Sequence, residues 1–190
     1  MPTFKPGVTA IVGPSGVGKN TVIAGLIQRY PQLHIGSSLT TRPARQNDLP
    51  GRYIHVSKDE FMSRDAAGEL LEWAEYASHY YGSILPDKKD VNLILEIEYQ
   101  GAAQVRLKVP GARIVFMKPP GGTIEEQLAV LEERLAGRST DTESARNERL
   151  VTARRELEIG PTLADLVVVN EDVETTVDEI AAVMYTHLES

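Results

Sequence analysis

The sequence predicts an α/β fold: a parallel sheet with helices on both faces and a smaller hairpin-bearing insertion at its side. Three observations lead there. Short apolar runs alternate with amphipathic stretches along the chain, the pattern of strands joined by helical crossovers. A glycine-rich loop follows the first apolar run and precedes the first amphipathic stretch. Of 190 residues, 42% are apolar and 25% charged, an ordinary globular balance, with no apolar run near the ~18 residues of a membrane span.

The elements follow in order. Gly7–Gly13 is a buried strand and Thr21–Tyr30 has helical spacing. His34–Leu39 reads as one further strand, and Thr40–Arg52, rich in Thr, Arg, Pro and Gly, as a loop. Tyr53–Val56 alternates like a strand. Ser57-Lys58-Asp59-Glu60 is a capping box opening a helix to Ala67. Leu70–Ser83 suits an antiparallel hairpin. Leu93–Ile97 is a buried strand, Tyr99–Val109 a helix, and Ala112–Met117 the next buried strand. A second capping box, Thr123-Ile124-Glu125-Glu126, opens a helix to Ala136. After a polar stretch, Gly137–Glu143, a charged helix spans Ser144–Ile159. Leu166–Asn170 is the last buried strand, followed by a helix from Val173.

Charge and cysteine content narrow the function. With no cysteine, disulfides, thiolate metal sites and cysteine nucleophiles are excluded, and a cytoplasmic protein is expected. Asp and Glu outnumber Lys and Arg, 27 to 20, for a net charge of −7, and no basic run exceeds a pair. That is not the footprint of a nucleic-acid binder. Positive charge serving an anionic substrate has to be concentrated in a site. The four histidines, His34, His55, His79 and His187, lack metal-ligand spacing and read as surface or half-buried.

Gly13-Pro14-Ser15-Gly16-Val17-Gly18-Lys19-Asn20 fits the pattern GxxxxGK between strand and helix. Glycines there let backbone N–H groups curl around phosphate oxygens, the helix start presents its positive end, and Lys19 reaches the β and γ phosphates. The residue after the lysine is ordinarily Ser or Thr, a Mg²⁺ ligand. Here it is Asn20, whose amide oxygen is also a hard ligand but on a longer arm, while Thr21 comes one position late.

From this loop onward the chain resembles the guanylate kinase family over nearly its whole length. The resemblance rests on Gly13–Thr21; on Ser38, Thr40-Thr41-Arg42, Arg45, Asp48, Gly51 and Tyr53; and on Glu72-Trp73-Ala74 with Tyr80-Tyr81-Gly82-Ser83. It continues in Leu95–Gly101, in Arg134-Leu135 through Arg138 with Arg149, and in Val169-Asn170-Glu171-Asp172. It implies a P-loop nucleoside monophosphate kinase fold in one domain: a core of about 1–34, 84–136 and 160–190, a monophosphate-binding insertion of about 35–83 and a lid of about 137–159. The implied reaction is ATP + GMP (or dGMP) giving ADP + GDP with Mg²⁺, in a monomer or homodimer that engages neither nucleic acid nor membrane.

The resemblance also implies roles. Gly13, Pro14, Ser15, Gly16, Val17, Gly18, Lys19, Asn20, Thr21, Arg134 and Asn170 would hold ATP. Glu72 would accept from guanine N1–H and the 2-amino group, Ser38 would donate to O6, and Ser83 would assist. Arg42 and Arg45 would grip the GMP phosphate beside Tyr53 and Tyr81, with Asp48 and Glu98 completing the pocket. Arg138 and Arg149 would close from the lid; with Lys19 and Arg42 they form the catalytic set. Asn20 and, through water, Glu96 would face the metal. The chain departs from the family pattern at Asn20, at Glu96 and Glu98 (aspartates in the family), at Asp48 (a glutamate) and at Ser139 (a glycine). The loop from Arg45 to Tyr53 is one residue shorter, the stretch between Ser83 and Ile94 is shorter and Gly121–Leu131 longer. Two other readings stay open. An inactive interaction module would have no reason to keep Lys19, Arg138 and Arg149. A sugar-bisphosphate kinase would give Ser38, Glu72 and Ser83 nothing to bind.

Overall fold

In the computed structural model, which describes residues 7–44, 48, 51–76, 78–84, 92–136 and 143–184, the first apolar run forms β1 (Gly7–Val12). There follow α1 (Lys19–Arg29), β2 (Leu33–Ile35), β3 (Ser38–Thr40), β4 (Tyr53–His55), α2 (Lys58–Ala66), β5 (Leu70–Tyr76) and β6 (His79–Ile84). The second half holds β7 (Asn92–Glu96), α3 (Tyr99–Lys108), β8 (Arg113–Lys118), α4 (Ile124–Ala136), α5 (Glu143–Leu163), β9 (Leu166–Val169) and α6 (Val173–Met184). No helix among the described residues is long and apolar enough to cross a membrane.

Five strands make a parallel sheet in the order β2-β7-β1-β8-β9. β1 lies at its centre because Val8, Ala10, Ile11 and Val12 are apolar on both faces, as a strand covered on both sides requires. Thr9 is fully buried there as well. The register sets Ile11 against Glu96 and Val12 against Phe116, so the carboxyl ends of three strands finish at one level. Both expected N-caps form, the second as a full reciprocal box. Ser57 accepts from the Glu60 amide at 3.1 Å. Thr123 accepts from the Glu126 amide at 3.2 Å, and Glu126 accepts from the Thr123 amide at 3.1 Å.

The second sheet has the order β4-β3-β6-β5, with β3 and β4 parallel and the rest antiparallel. One face packs Leu39, Phe61 and Leu70 against Trp73 and Tyr80. A register shift between Leu70 and Glu72 changes the phase of β5, so Leu70 meets Phe61 on that face while Glu72 turns away from it.

Three expectations need correction. His34–Leu39 is not one strand: β2 ends at Ile35 and β3 begins at Ser38, in different sheets. Gly36 marks the break, donating to the Ile94 carbonyl at 2.8 Å, and a Cβ there would lie 2.7 Å from Leu95. The last strand is not buried throughout: β9 is a sheet edge, with Val167 and Val169 exposed. The charged helix runs on through Pro161 to Leu163, giving up the one ladder bond that Pro161 cannot donate.

Gly160 lies within α5 against the Phe116 ring, and a Cβ there would sit 2.1 Å from that ring. Glycine-to-alanine in a helix normally gains about 1 kcal/mol, but overpacking a closed core typically costs about 1–3 kcal/mol. Gly160→Ala is therefore expected to lower the urea midpoint of unfolding; an unchanged or higher midpoint would refute the close packing.

Candidate functional site

The loop leaving β1 wraps back on itself. Val17 donates to the Pro14 carbonyl at 3.1 Å, and Gly18 caps α1 at φ 103°, in left-handed space that suits glycine. Lys19 Nζ donates to the Gly13 and Pro14 carbonyls, so its ammonium lies over the loop. The Val17 carbonyl accepts from Asn170 Nδ2 at 2.7 Å and from Arg134 at 3.2 Å. Arg134 also donates to the Asn170 carbonyl at 3.1 Å, and Thr176 donates to Asn170 Oδ1 at 3.0 Å. Asn170 and Arg134 thus brace the loop from behind. Asn20 and Thr21 stand exposed on the first turn of α1.

The second sheet presents a polar row. Ser38 pairs with Ser83, Ser83 with Glu72, and Tyr53 with Ser38, so the four residues lie side by side across β4, β3, β6 and β5. Ser38, Ser83 and Glu72 are all buried. Glu72 Oε1 accepts from the Ser83 amide at 2.9 Å. Burial pushes the Glu72 carboxyl up, and its bonds from Ser83 pull against that. Space for the carboxylate comes from α3: a Cβ on Gly101 would lie 2.2 Å from Glu72 Oε2.

Beside the row stand Arg42 and Tyr53. Arg42 is buried, donates to Asp48 at 2.7 Å, and lies 5.1 Å over the Tyr53 ring. His55 Nε2 lies 3.3 Å from the same aspartate, and its Nδ1 is 2.7 Å from the Arg42 carbonyl. Tyr81 precedes Ser83 by two residues along β6 and pairs with Thr40. Arg45, Arg138 and Ser139 lie outside the described residues, as does His187. Of the other histidines, His34 and His55 are exposed and His79 half-buried.

Between the end of β5, the start of α3 and α5 opens a cleft of about 750 Å³, lined by Tyr76, Glu98, Tyr99, Arg149, Thr152 and Arg155 among others. Arg149 donates to Ser15 Oγ at 3.2 Å, which ties α5 to the phosphate loop. Two helical turns further on, Glu156 is 2% exposed and shares a hydrogen bond with Glu98. Burial, then the Glu98 carboxylate, pushes the Glu156 carboxyl up to about 9, against the pull of Lys19. Tyr76 is pushed up by burial and by Glu98 in the same cluster.

Sequence reasoning gathered most of these residues but missed four. Gly101 left the trace of a glycine inside a helix, where alanine would be better by about 1 kcal/mol unless space is needed. Glu156 follows two arginines and reads as a solvated charge; its only signal is its seven-residue spacing from Arg149. Tyr76 and Arg52 gave none. Arg52 is buried, with its guanidinium 2.7 Å from Glu96 Oε2, so the carboxylate expected to face a metal through water is engaged by an arginine. Among the described residues no group of three or more His, Cys, Asp or Glu could hold a metal by itself.

A family model described as guanylate kinase matches residues 6–187. A guanylate kinase of Thermosynechococcus vestitus (strain NIES-2133 / IAM M-273 / BP-1) is 43% identical over 193 residues, covering 97% of this chain and 96% of its own length. That of Synechococcus sp. (strain CC9311) is 40% identical over 178 residues, covering 90% of each chain. Among solved structures, a guanylate kinase from Anaplasma phagocytophilum matches with a TM-score of 0.73 at 29% identity, over 97% of this chain and 87% of that one. The chain belongs to the guanylate kinase family.

The Glu156 carboxyl carries a stability prediction. Unfolded, it ionises near the usual carboxylate value; folded, it keeps its proton up to about 9. Between those values the native state binds the extra proton, so this group makes stability fall as pH rises and stops contributing to the slope above about 9. Glu156→Gln should flatten the fall in thermal midpoint between pH 5 and 9. Parallel profiles for the two proteins would show that Glu156 ionises normally.

Proposed function

We propose that this chain transfers the γ-phosphate of ATP to GMP or dGMP, releasing ADP and GDP or dGDP. The observation that carries this reading is the buried Ser38–Ser83–Glu72 row. Guanine offers two donors, N1–H and the 2-amino group, beside the O6 acceptor. An ionised Glu72 accepts both donors, and a Ser38 or Ser83 hydroxyl donates to O6. Adenine has no matching pair of donors and would leave a buried carboxylate unpaired, which is how polar sites discriminate strongly. Binding guanine would also draw the Glu72 carboxyl back towards its ionised form.

The second sheet, about 35–83, acts as the monophosphate-binding insertion and about 137–159 as the lid. Arg42, Arg45, Tyr53 and Tyr81 hold the GMP phosphate; Asp48 orients Arg42 through the 2.7 Å bond between them. Glu98 completes this pocket. The Gly13–Thr21 loop holds the ATP phosphates, with Arg134 and Asn170 behind it. An acceptor oxygen of GMP attacks the γ-phosphorus as the bond to the ADP oxygen breaks. Lys19, Arg138 and Arg149 neutralise the charge spread over the transferring oxygens, and closure of the lid excludes the water that would compete with GMP.

Mg²⁺ fits as an ion that arrives with ATP. The Asn20 amide oxygen is a hard donor, the Glu96 carboxylate is already held by Arg52, and no three-carboxylate cage forms among the described residues. Phosphate and water would supply most of its shell, and it would contribute charge neutralisation at the ATP phosphates. Neither alternative is favoured. A sugar bisphosphate leaves the buried polar row without a partner, and an inactive module has no use for Lys19 and Arg149 converging on the phosphate loop.

The direct test is ADP release from ATP with GMP, dGMP, AMP, UMP and ribose bisphosphate as separate acceptors. Turnover with GMP or dGMP alone is expected; turnover with ribose bisphosphate and not GMP would overturn the reading. Glu72→Gln sets an NH₂ against a guanine N–H and should cost about 2–4 kcal/mol, roughly 30- to 700-fold in the GMP Michaelis constant. The ATP constant should barely change. An unmoved GMP constant would remove Glu72 from base recognition.

Asn20 gives the last prediction of this site. Mg²⁺ demands near-octahedral geometry at about 2.1 Å and releases water reluctantly, and a neutral amide on a longer arm meets that poorly. Asn20→Ser should half-saturate at lower Mg²⁺ than the natural chain, and Mn²⁺ should partly rescue the latter. A higher Mg²⁺ requirement in Asn20→Ser, with no benefit from Mn²⁺, would show that Asn20 is not a ligand.

A further inference from the structure

The two sheets are joined at Gly36–Ser37, and one buried side chain spans that joint. Arg52 is 5% exposed. It donates through NH1 to the Gly36 carbonyl at 2.9 Å and through NH2 to Glu96 Oε2 at 2.7 Å. Gly36 is the joint itself, and Glu96 ends β7 in the core, in register with Ile11 of β1. Arg52 belongs to the second sheet's side: its carbonyl accepts from the Ser38 amide at 3.0 Å, and Ser37 Oγ donates to the Gly51 carbonyl at 2.8 Å. Its guanidinium also lies 5.6 Å from the Tyr53 ring, which is 5.1 Å from Arg42. A single planar fork thus bonds the joint and the core carboxylate while touching the ring beside Arg42.

We propose that Arg52 is a positioning residue: by clasping the Gly36 carbonyl and the Glu96 carboxylate, it fixes the angle at which the Ser38–Ser83–Glu72 row faces the phosphate loop. The guanidinium suits this because it offers two donors in one rigid plane, where a lysine offers a point charge on a flexible stem with no fixed plane. Glutamate at 96 suits it because its arm reaches one methylene further out from β7 than an aspartate would. Glu96 then works chiefly as the core anchor of this clasp, and Arg52 touches no substrate. The kinetic consequences rest on the proposed GMP reading; the joint itself does not.

The test uses the full chain with Arg52→Met, Arg52→Lys, Glu96→Met, Glu96→Gln and the double Met variant. Arg52→Met should raise the GMP Michaelis constant about tenfold or more while the ATP constant stays within about twofold, and Arg52→Lys should fall between. The double variant should be no worse than Glu96→Met alone, since both remove one interaction. Amide hydrogen exchange at Gly36–Ser38 should quicken in Arg52→Met, a readout that needs no catalysis and survives failure of the GMP assignment. If Arg52→Met does not fold, Arg52→Lys carries the same exchange and Michaelis-constant tests. Unchanged exchange at the joint, equal rises in both Michaelis constants, or additive losses in the double variant would overturn the proposal. So would a Mg²⁺ requirement raised by Glu96→Gln with no change in the GMP constant, which would return Glu96 to the metal.

Discussion

The parallel pairing of β1 with β7 is the constraint on which the rest of the molecule depends. It sets Ile11 beside Glu96, so the phosphate loop leaving β1 and the α3 start leaving β7 emerge at the same level. Ligands of open parallel sheets lie at that edge because helix starts and loop amides converge there. From β7 the chain enters α3, and Gly101 in its first turn lets the helix close on Glu72. The Ser38–Ser83–Glu72 row of one sheet and the phosphate loop of the other are therefore linked through β7 and the first turn of α3. Slippage of β7 by one position would turn Glu96 and Glu98 to the opposite face and undo both links.

Three buried or half-buried carboxylates near this edge meet the cost of desolvation in three ways. Glu72 takes the Ser83 amide and keeps a second oxygen beside Gly101. Glu96 is neutralised by Arg52. Glu156 holds its proton and shares it with Glu98. These solutions are not interchangeable. A paired or protonated carboxylate asks nothing of a ligand, whereas one held by an amide, at the end of a polar row, still has acceptor capacity to offer. That difference supports the proposed role of Glu72 in recognition, with the other two as structure around it.

How much of this was legible in the sequence follows from the range of each signal. The phosphate loop, both N-caps and the strands β1, β7 and β8 are local patterns, and they form as the spacing requires. The break at Gly36 was not read because a single glycine inside a short run is a weak signal; the space where its side chain would sit is filled by Leu95, from β7. The edge position of β9 is likewise set by topology, since Leu166–Asn170 has the composition of an interior strand. The residues carrying the proposed ATP and GMP contacts came from the family resemblance, and the row formed by Ser38, Ser83 and Glu72 needed the sheet register to appear. Arg52 and Glu156 escaped both routes. Each is a charged residue in a polar stretch, and only burial distinguishes it from its solvated neighbours.

The charge balance closes the argument. A chain of net charge −7 that receives two polyanionic nucleotides has to hold them by local field against an unfavourable mean field. Lys19, Arg134 and Arg149 are each bonded to the phosphate loop, and Arg42 is held by Asp48 beside Tyr53. Positive charge fixed in this way acts locally, while the acidic exterior repels anions elsewhere. Protonation of Glu156 serves the same end, because an ionised carboxylate beside Glu98 and Lys19 would subtract a full charge next to the phosphate loop. A second carboxylate neutralised by Arg52 subtracts nothing either. The local field of these bases therefore depends as much on silencing the acids near them as on the bases themselves.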